Sequence, residues 1–268
     1  LSLGENIMQF QQIRSATSIV TFGDKRFLID PMLAKMGTYP SVPNTSDTGR
    51  GNPDCELPCP MESLFEVDAV IATHLHFDHF DEVAIRELPK ALPLFAQSQE
   101  EAQVLQGYGF KDVRVLLDDG VEFEGVTLYR TDCDHGSSNL VTLDGYKDIN
   151  ISEKASGVVF SSPKEQHRFY LVGDSVYSQE VVDAMTKFEP DIVAVNAAGA
   201  QYPLAHLLIM NQYDVLTLMK AFPDVDVIAT HVEGVSHASV TRPMLREFAQ
   251  QHNLTRLHVP NDGEILRF

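Results

Sequence analysis

The sequence is poor in cysteine and contains no long apolar segment. Three cysteines among 268 residues, an odd number, argue against a disulfide framework and favour a reducing compartment, so we expect a cytoplasmic protein. No apolar stretch approaches the roughly 20 residues that a membrane-spanning helix needs, and no secretory signal is visible. A disulfide-stabilised secreted scaffold and an integral membrane protein are therefore not the expected classes.

Basic residues are also scarce. The chain has 20 Lys and Arg against 38 Asp and Glu, which gives a formal net charge of −18. Such a field repels nucleic-acid phosphates, and no run of Lys or Arg supplies a compensating basic patch. We therefore expect a small-molecule substrate and no nucleic-acid partner, with homo-oligomerisation left open.

Apolar residues, in contrast, are plentiful and fall into short strand-like and helix-like segments. With 44% hydrophobic residues, the chain suits a single α/β domain over residues 1–268. Short strands open the chain, and strands then alternate with helices, which alone predicts an α/β protein with mixed sheets. The pattern predicts one continuous strand at 121–130, and helices near 81–88, 98–107, 179–188 and 211–222.

Residues 37–60 form a stretch rich in Gly, Pro, Asn, Ser and Thr. It is too long for an ordinary connection, which predicts either a functional lid or a mobile surface loop. Cys55 and Cys59 could form a separate metal clip, but no second ligand pair at matching spacing supports this alternative. Tyr39 either packs over the substrate or anchors the loop.

The strongest chemical signal follows the apolar run at 67–73. This strand-like run leads directly into His74, His76, Asp78 and His79. Residues two apart on an extended chain point the same way, so His74 and His76 face one point, and imidazole with carboxylate suits zinc, iron or manganese. A single histidine is more often a surface or packing residue, but three histidines and an aspartate within six positions predict a metal site.

The pattern His-x-His-x-Asp-His resembles the signature of the metallo-β-lactamase-fold superfamily, whose further ligands follow later strands. Here His135, Asp174 and His231 each lie just beyond an apolar strand-like run and match those positions. The resemblance covers nearly the whole chain and implies a four-layer αββα sandwich of two mixed β-sheets flanked by helices. It also implies that Asp30 supports the metal-binding loop from behind, although an aspartate before Pro31 is also a common turn residue.

The resemblance implies two divalent metal ions, most simply zinc, with manganese or iron as alternatives. An open position on each ion distinguishes such a catalytic site from a closed structural one. A water between two cations loses a proton near neutral pH and supplies a nucleophile. Asp78 is the candidate catalytic residue that orients this water or receives its proton. The implied ligands are His74, His76 and His135 for one ion, Asp78, His79 and His231 for the other, and Asp174 as the bridge.

Other polar residues are candidates for supporting roles. Histidine ligands need a partner on their second ring nitrogen, and Asp30, Asp132 and Asp134 are candidates for it. His237 rivals His231 as the last ligand, but the preceding strand favours His231, which leaves His237 for substrate contact, outer support or loop packing. The weaker candidates for substrate binding are Asn196, Tyr202, His206 and His237.

The motif at 172–175 and the ending at 259–264 resemble the UlaG-like group of the superfamily. That group includes a lactonase acting on a phosphorylated ascorbate and phospholipase-D-like relatives acting on phosphodiesters. The segment around His135 departs from the group's pattern, so a specific substrate does not transfer. His76 replaces the glutamate of the diiron oxygen-reducing flavoproteins, which disfavours an oxidoreductase. The sequence therefore predicts a binuclear metal-dependent hydrolase of a small ester, lactone or phosphodiester, with a phosphodiesterase of nuclease type or a non-catalytic metal-binding module as alternatives.

Overall fold

The structure, a computed structural model, describes residues 7–42, 49–135, 154–201 and 207–268. Within these ranges the strands form two seven-stranded sheets. The strands of the first sheet are β1 (Gln9–Arg14), β2 (Thr17–Phe22), β3 (Lys25–Ile29), β4 (Ala69–Ala72), β5 (Leu94–Ala96), β6 (Val113–Val115) and β14 (Ile265–Arg267).

The first sheet has the order β14-β1-β2-β3-β4-β5-β6 and is mixed. Strands β14, β1, β2 and β3 are antiparallel neighbours, whereas β3, β4, β5 and β6 are parallel. Because β3 and β4 run in parallel, their carboxyl ends reach the same edge, where Asp30 N–H donates to the Ile71 carbonyl at 2.9 Å. The residues that follow these two strands therefore meet.

The second sheet has the order β13-β12-β11-β10-β9-β8-β7, and its last four strands in sequence are parallel. Parallel strands place their carboxyl ends at one edge, which is where α/β proteins usually bind ligands. Asp174, Asn196 and His231 all lie at this edge. The strands are β7 (Val121–Phe123), β8 (Val126–Asp132), β9 (Ser156–Ser161), β10 (Phe169–Leu171), β11 (Ile192–Asn196), β12 (Asp226–Thr230) and β13 (Leu257–His258).

Helices cover the outer face of each sheet, and an aromatic core fills the space between the sheets. Phe160 contacts Phe22 and Phe27 from the opposite sheet, with ring centroids 5.8 and 5.4 Å apart. The arrangement confirms the predicted four-layer αββα sandwich. Helices α1 (Glu82–Glu87) and α2 (Gln99–Gly107) pack on the first sheet, and α3 (Gln179–Phe188), α4 (Gln212–Ala221) and α5 (Arg242–Gln251) pack on the second.

The continuous strand predicted at 121–130 is wrong. The chain reverses at Glu124 and Gly125, whose φ angles are 49° and 93°, and Val121 pairs with Leu128 across the resulting hairpin. Two successive positive φ angles are typical of a type I′ turn, which usually carries Asn-Gly or Asp-Gly. The alternation of apolar residues on both sides of the turn concealed this break.

The described parts of the 37–60 loop are held by hydrogen bonds. Tyr39 and Asn52 exchange two backbone hydrogen bonds of 2.7 Å, and Gly37 N–H donates to the Pro53 carbonyl at 2.8 Å. The buried Asn52 side chain accepts from Ser236 N–H at 2.7 Å, which ties this loop to the loop that follows β12. The two alternative roles of residues 37–60, a functional lid or a mobile surface loop, stay predictions.

None of the helices in the described ranges is both long enough and apolar enough to span a bilayer. Cys55, Cys59 and Cys133 are free thiols. The location in the cytoplasm stays a prediction.

One buried acid affects the expected stability of the fold. Glu101, on α2, is 8% exposed, and its Oε1 accepts from Gln97 Nε2 at 2.7 Å. Its Oε2 is buried and has no hydrogen-bond partner in the part of the chain that the structure describes. Burial raises the pKa of Glu101 from 4.5 to about 7. The folded state therefore binds this proton more tightly than the unfolded state, and stability falls as the pH rises from about 4.5 to about 7.

We predict that Glu101→Gln stabilises the protein at pH 8 by about 1–3 kcal/mol, because glutamine keeps the acceptor oxygen without an ionisable proton. The advantage should nearly vanish at pH 4.5, where Glu101 is protonated in the folded state. Urea unfolding of metal-free protein at both pH values measures the difference. Glu100→Gln, at an exposed neighbouring position of α2, is the control, and an equal Glu101→Gln effect at both pH values would contradict the prediction.

Candidate metal centre

The loop after β4 brings its own histidines back toward the sheet edge. His74 directly follows Thr73, and the chain then turns, with His79 N–H and Phe80 N–H both donating to the His76 carbonyl, at 2.9 and 2.8 Å. The turn places the rings of His74 and His79 4.0 Å apart, centroid to centroid. A short local motif thus supplies several side chains at one point.

All seven predicted metal ligands lie together at this edge. Three overlapping groups have ligand atoms within 4.8 Å of one another in the described residues, and none of these groups contains a cysteine. The separate Cys55 and Cys59 clip is therefore not among them. The groups are His74, His76 and His135; His74, His79 and Asp174; and Asp78, His79 and His231.

Asp174 lies at the centre of the cluster. Its Oδ2 is 3.2 Å from His79 Nε2, 3.6 Å from His135 Nε2 and 3.8 Å from His74 Nε2. Its Oδ1 is 3.9 Å from His231 Nε2. Two ligands bound to one tetrahedral ion at about 2.0–2.2 Å lie about 3.4 Å apart, so these separations suit ligands of shared cations.

Unsatisfied buried nitrogens also indicate that the residues fit metal ions. His79 Nε2 and His231 Nε2 are buried and have no hydrogen-bond partner among the described residues. On the other side of each ring, His79 Nδ1 lies 2.8 Å from Asp30 Oδ2 and His231 Nδ1 lies 3.0 Å from Ser15 Oγ. A buried polar atom without a partner is costly, and a cation would satisfy both nitrogens. Nitrogen and oxygen donors of this kind suit zinc, manganese or iron.

Asp30 supports two of the histidines from behind. Its carboxylate accepts from Thr73 N–H at 2.7 Å, Thr73 Oγ1–H at 2.8 Å and His79 Nδ1–H at 2.8 Å. Thr73 Oγ1 also lies 3.2 Å from His74 Nδ1, so it connects this ring to the same carboxylate. Both rings therefore direct Nε2 into the cluster, as a metal ligand requires.

Of the other two predicted outer partners, Asp132 points away from the histidines, and a supporting role for the Asp134 side chain stays a prediction. Asp132 is exposed at the end of β8 and pairs with Arg130 at 2.9 Å, because residues two apart in a strand face the same side. Asp134 is bound through its backbone to Ser175 Oγ and to Val176 N–H. The partner of His135 is instead a backbone group, since Nδ1–H donates to the Leu208 carbonyl at 2.8 Å.

Sequence reasoning missed Ser15, which contacts His231 from the opposite sheet. Ser15, Asp30 and His231 all have positive φ angles, of 51°, 46° and 53°. Such conformations cost free energy in residues other than glycine, and they gather around functional sites. A Cβ added at Gly234 would lie 3.0 Å from Ser15 atoms, so close packing holds this turn in place. No local pattern around Ser15 indicates this contact.

The predicted substrate contacts have different surroundings. Asn196 is 2% exposed and its Nδ2 donates to Asp174 Oδ1 at 2.6 Å. His237 Nε2 lies 3.1 Å from Asp78 Oδ2, but His237 belongs to none of the candidate ligand groups. Contact of Asn196 or His237 with substrate stays a prediction. Tyr202 and His206 lie outside the described residues.

Metal binding requires neutral imidazoles and ionised carboxylates, and it releases any proton that a ligand still holds. Burial alone would lower the pKa of His79, but the carboxylates of Asp174 and Asp30 raise it well above its usual value, so a cation bound there would displace a proton. Burial, followed by the neighbouring His79, lowers the pKa of His74 well below its usual value. Burial and His135 lower the pKa of His76 to about 4. Burial alone would raise the pKa of Asp78 and Asp174, but the surrounding histidines, His79 first, lower it well below the usual value.

Comparison with known proteins identifies the family. Residues 25–232 match the family described as "Beta-lactamase superfamily domain". The chain belongs to this family. It is 38% identical to the UPF0173 protein YddR of Bacillus subtilis, over 97% of this chain and 100% of that protein. The match confirms the predicted superfamily, whereas the UlaG-like branch stays a prediction.

Two solved structures are similar over nearly their full length. The isothiocyanate hydrolase from Delia radicum gut bacteria is 35% identical, with 97% of this chain and 99% of that chain covered and a TM-score of 0.88. A possible metal-dependent hydrolase from Veillonella parvula is 34% identical, with the same coverages and TM-score. These relationships support the predicted class of activity, a metal-dependent hydrolase.

We predict that Asp30→Asn weakens metal binding by about 10–100-fold, the usual effect of losing an outer partner of a histidine ligand. Asparagine tolerates the positive φ angle at this position, so the change mainly removes a charged acceptor. Metal content after dialysis against a graded chelator measures the effect. Asp132→Asn, at an exposed carboxylate, should keep the wild-type content, and wild-type affinity in Asp30→Asn would exclude the supporting role of Asp30.

Proposed function

We propose that this protein is a binuclear metal-dependent hydrolase of a small, uncharged electrophile. The observation that carries the proposal is the position of Asp174 Oδ2 between two ligand groups. This oxygen lies 3.6 Å from His135 Nε2 on one side and 3.2 Å from His79 Nε2 on the other. A single shared oxygen between two sets of nitrogen donors supports two neighbouring cations.

The candidate ligands form one set for each of the two proposed cations. When bound, two divalent cations lower the pKa of a water between them and stabilise negative charge that develops on the substrate. The proposed ligands are His74, His76 and His135 for one ion, Asp78, His79 and His231 for the other, and Asp174 for both.

Asp78 is the residue best suited to orient the attacking water or to receive its proton. It is buried and ionised, and its Oδ2 lies 3.1 Å from His237 Nε2 and 3.5 Å from His231 Nε2. Because an ionised carboxylate only accepts, the His237 ring donates to it and fixes its orientation. A base held in this way requires little rearrangement during the reaction.

The surroundings of the cluster support an uncharged substrate. Phe77 stands between two proposed ligands in sequence, is partly exposed, and packs against Tyr39 with ring centroids 5.6 Å apart. Proteins recognise phosphate mainly with Arg and Lys. Here Arg130 is paired with two aspartates, and Arg242 with Glu233 and Asp262.

Among uncharged electrophiles, an isothiocyanate is the substrate class we propose first. The supporting observation is the 35% identity, over 97% of the chain, to an isothiocyanate hydrolase. Water adds to the central carbon of R–N=C=S. Cleavage of the bond between this carbon and the nitrogen then releases the amine R–NH₂ and carbonyl sulfide. This overall reaction consumes one water and needs no oxidant or reductant. Small esters and lactones are the other uncharged classes, and an anionic phosphodiester is the alternative that the panel below distinguishes.

A substrate panel tests the proposal. Protein reconstituted with zinc, manganese or iron should release amine from an arylalkyl isothiocyanate with a kcat/KM at least about tenfold above that for bis-nitrophenyl phosphate, because the aromatic pair of Phe77 and Tyr39 favours a neutral, apolar group over an anion. A nitrophenyl ester and a lactone complete the panel. A preference for the phosphodiester would favour the phosphodiesterase alternative, and two bound ions without turnover of any substrate would favour a non-catalytic module.

We predict that His74→Ala lowers kcat/KM by about 10³-fold or more, since the metal supplies several kcal/mol of charge stabilisation. His74 belongs to two of the three candidate ligand groups, so metal content should fall together with activity. Metal analysis and steady-state kinetics on the same preparation measure both. His252→Ala is the control, because His252 is an exposed histidine that directly follows α5. Unchanged turnover in His74→Ala would refute the metal site.

A further inference from the structure

Asn196 lies directly beneath the proposed metal site. It is the last residue of β11, which runs parallel to β10 and β12, and it pairs in register with Thr230. Asn196 is 2% exposed, and its Nδ2 donates to Asp174 Oδ1 at 2.6 Å. The buried Asn196 amide therefore makes its hydrogen bond to the Asp174 carboxylate away from solvent.

The two oxygens of Asp174 therefore have different surroundings. Oδ1 accepts from Asn196 at 2.6 Å and lies 3.9 Å from His231 Nε2, while Oδ2 faces His74, His79 and His135 at 3.2–3.8 Å. A carboxylate binds metal ions through one oxygen or through both, and rotation of the group exchanges these modes. The hydrogen bond to Oδ1 opposes this rotation.

We infer that Asn196 is a positioning residue: its hydrogen bond to Oδ1 fixes the Asp174 carboxylate so that Oδ2 would be the oxygen presented to the proposed cations. This inference rests on the binuclear site of the proposed function. Cations bound by these residues would then meet one oxygen of Asp174 in a fixed direction, and two such cations would supply the activated water of the proposed function.

The chemistry of asparagine suits this task. The carboxylate of Asp174 only accepts hydrogen bonds, so its partner must be a donor. A neutral amide donates without removing the negative charge that the cations need, whereas a buried Lys or Arg would compete with them. An aspartate at this position would place a second negative charge against Oδ1.

The experiment compares two substitutions at Asn196 with a matched control. Asn196→Leu removes the donor at similar volume, and Asn196→Asp replaces the donor with an acceptor of the same shape. Ser162→Ala is the control, because Ser162 is also buried and donates to the Gly125 carbonyl at 2.7 Å, but at the opposite end of β9 from the cluster. Each protein is titrated with zinc and with manganese against a competing chelator, and thermal unfolding is followed with and without metal.

We expect Asn196→Leu to bind at least one of the two ions about 10–100-fold more weakly than the wild type, and Asn196→Asp to lose at least as much. The rise in Tm on metal addition should shrink in both variants, because it reports binding to the folded state. Ser162→Ala should lower the Tm of metal-free and loaded protein alike and keep the full rise. A purely structural role for Asn196 would give the Ser162→Ala result.

The outcomes separate the inference from the proposed function. Wild-type protein that binds fewer than two ions would refute the binuclear site itself. Wild-type protein with two ions, together with Asn196→Leu of unchanged affinity and a full rise in Tm, would overturn only the role of Asn196. If Asn196→Leu does not fold, Asn196→Asp decides, and wild-type affinity in that variant would likewise overturn the inference.

Discussion

The burial of the Asp174 carboxylate among imidazole rings is the constraint on which the site depends. Asp174 is 4% exposed, and three histidine nitrogens lie within 3.8 Å of its Oδ2. A buried carboxylate is costly unless opposite charges and hydrogen bonds compensate it. Asn196 supplies one hydrogen bond, and the arrangement of the rings supplies positions for cations. The same buried carboxylate therefore determines both the stability of this edge and its proposed chemistry.

The two sheets cooperate to hold the site. Asp30 follows β3 and supports His79, while Ser15 lies between β1 and β2 of the same sheet and contacts His231, which follows β12 of the other. Ser15, Asp30 and His231 all adopt left-handed backbone conformations that only a well-packed scaffold maintains. The aromatic contacts between the sheets, such as Phe27 with Phe160, keep the two edges in register. The αββα core thus acts as the rigid support of the cluster.

The acidic composition and the proposed neutral substrate are compatible. A net charge of −18 repels anions at long range, while the ligand set of five imidazoles and two carboxylates would carry two divalent cations locally. Phe77 and Tyr39 provide an aromatic surface beside the loop that bears the ligands. A small electrophile with an apolar substituent can use both features, because it needs activation by the cations but no basic side chain for binding.

The sequence by itself determined an α/β protein with mixed sheets and a metal-binding motif after one strand. The resemblance that this motif carries implied the family, the four-layer class and the seven candidate ligands. The resemblance also implied that Asp30 supports the metal-binding loop, whereas its sequence context before Pro31 was equally typical of a turn. Tertiary structure alone decided the contacts between distant segments. Ser15 and His231 are 216 positions apart, the Leu208 carbonyl belongs to no motif, and Asn196 contacts the proposed ligand Asp174. The Glu124–Gly125 turn was hidden for a related reason, because periodicity reports which face a residue occupies and not where the chain reverses.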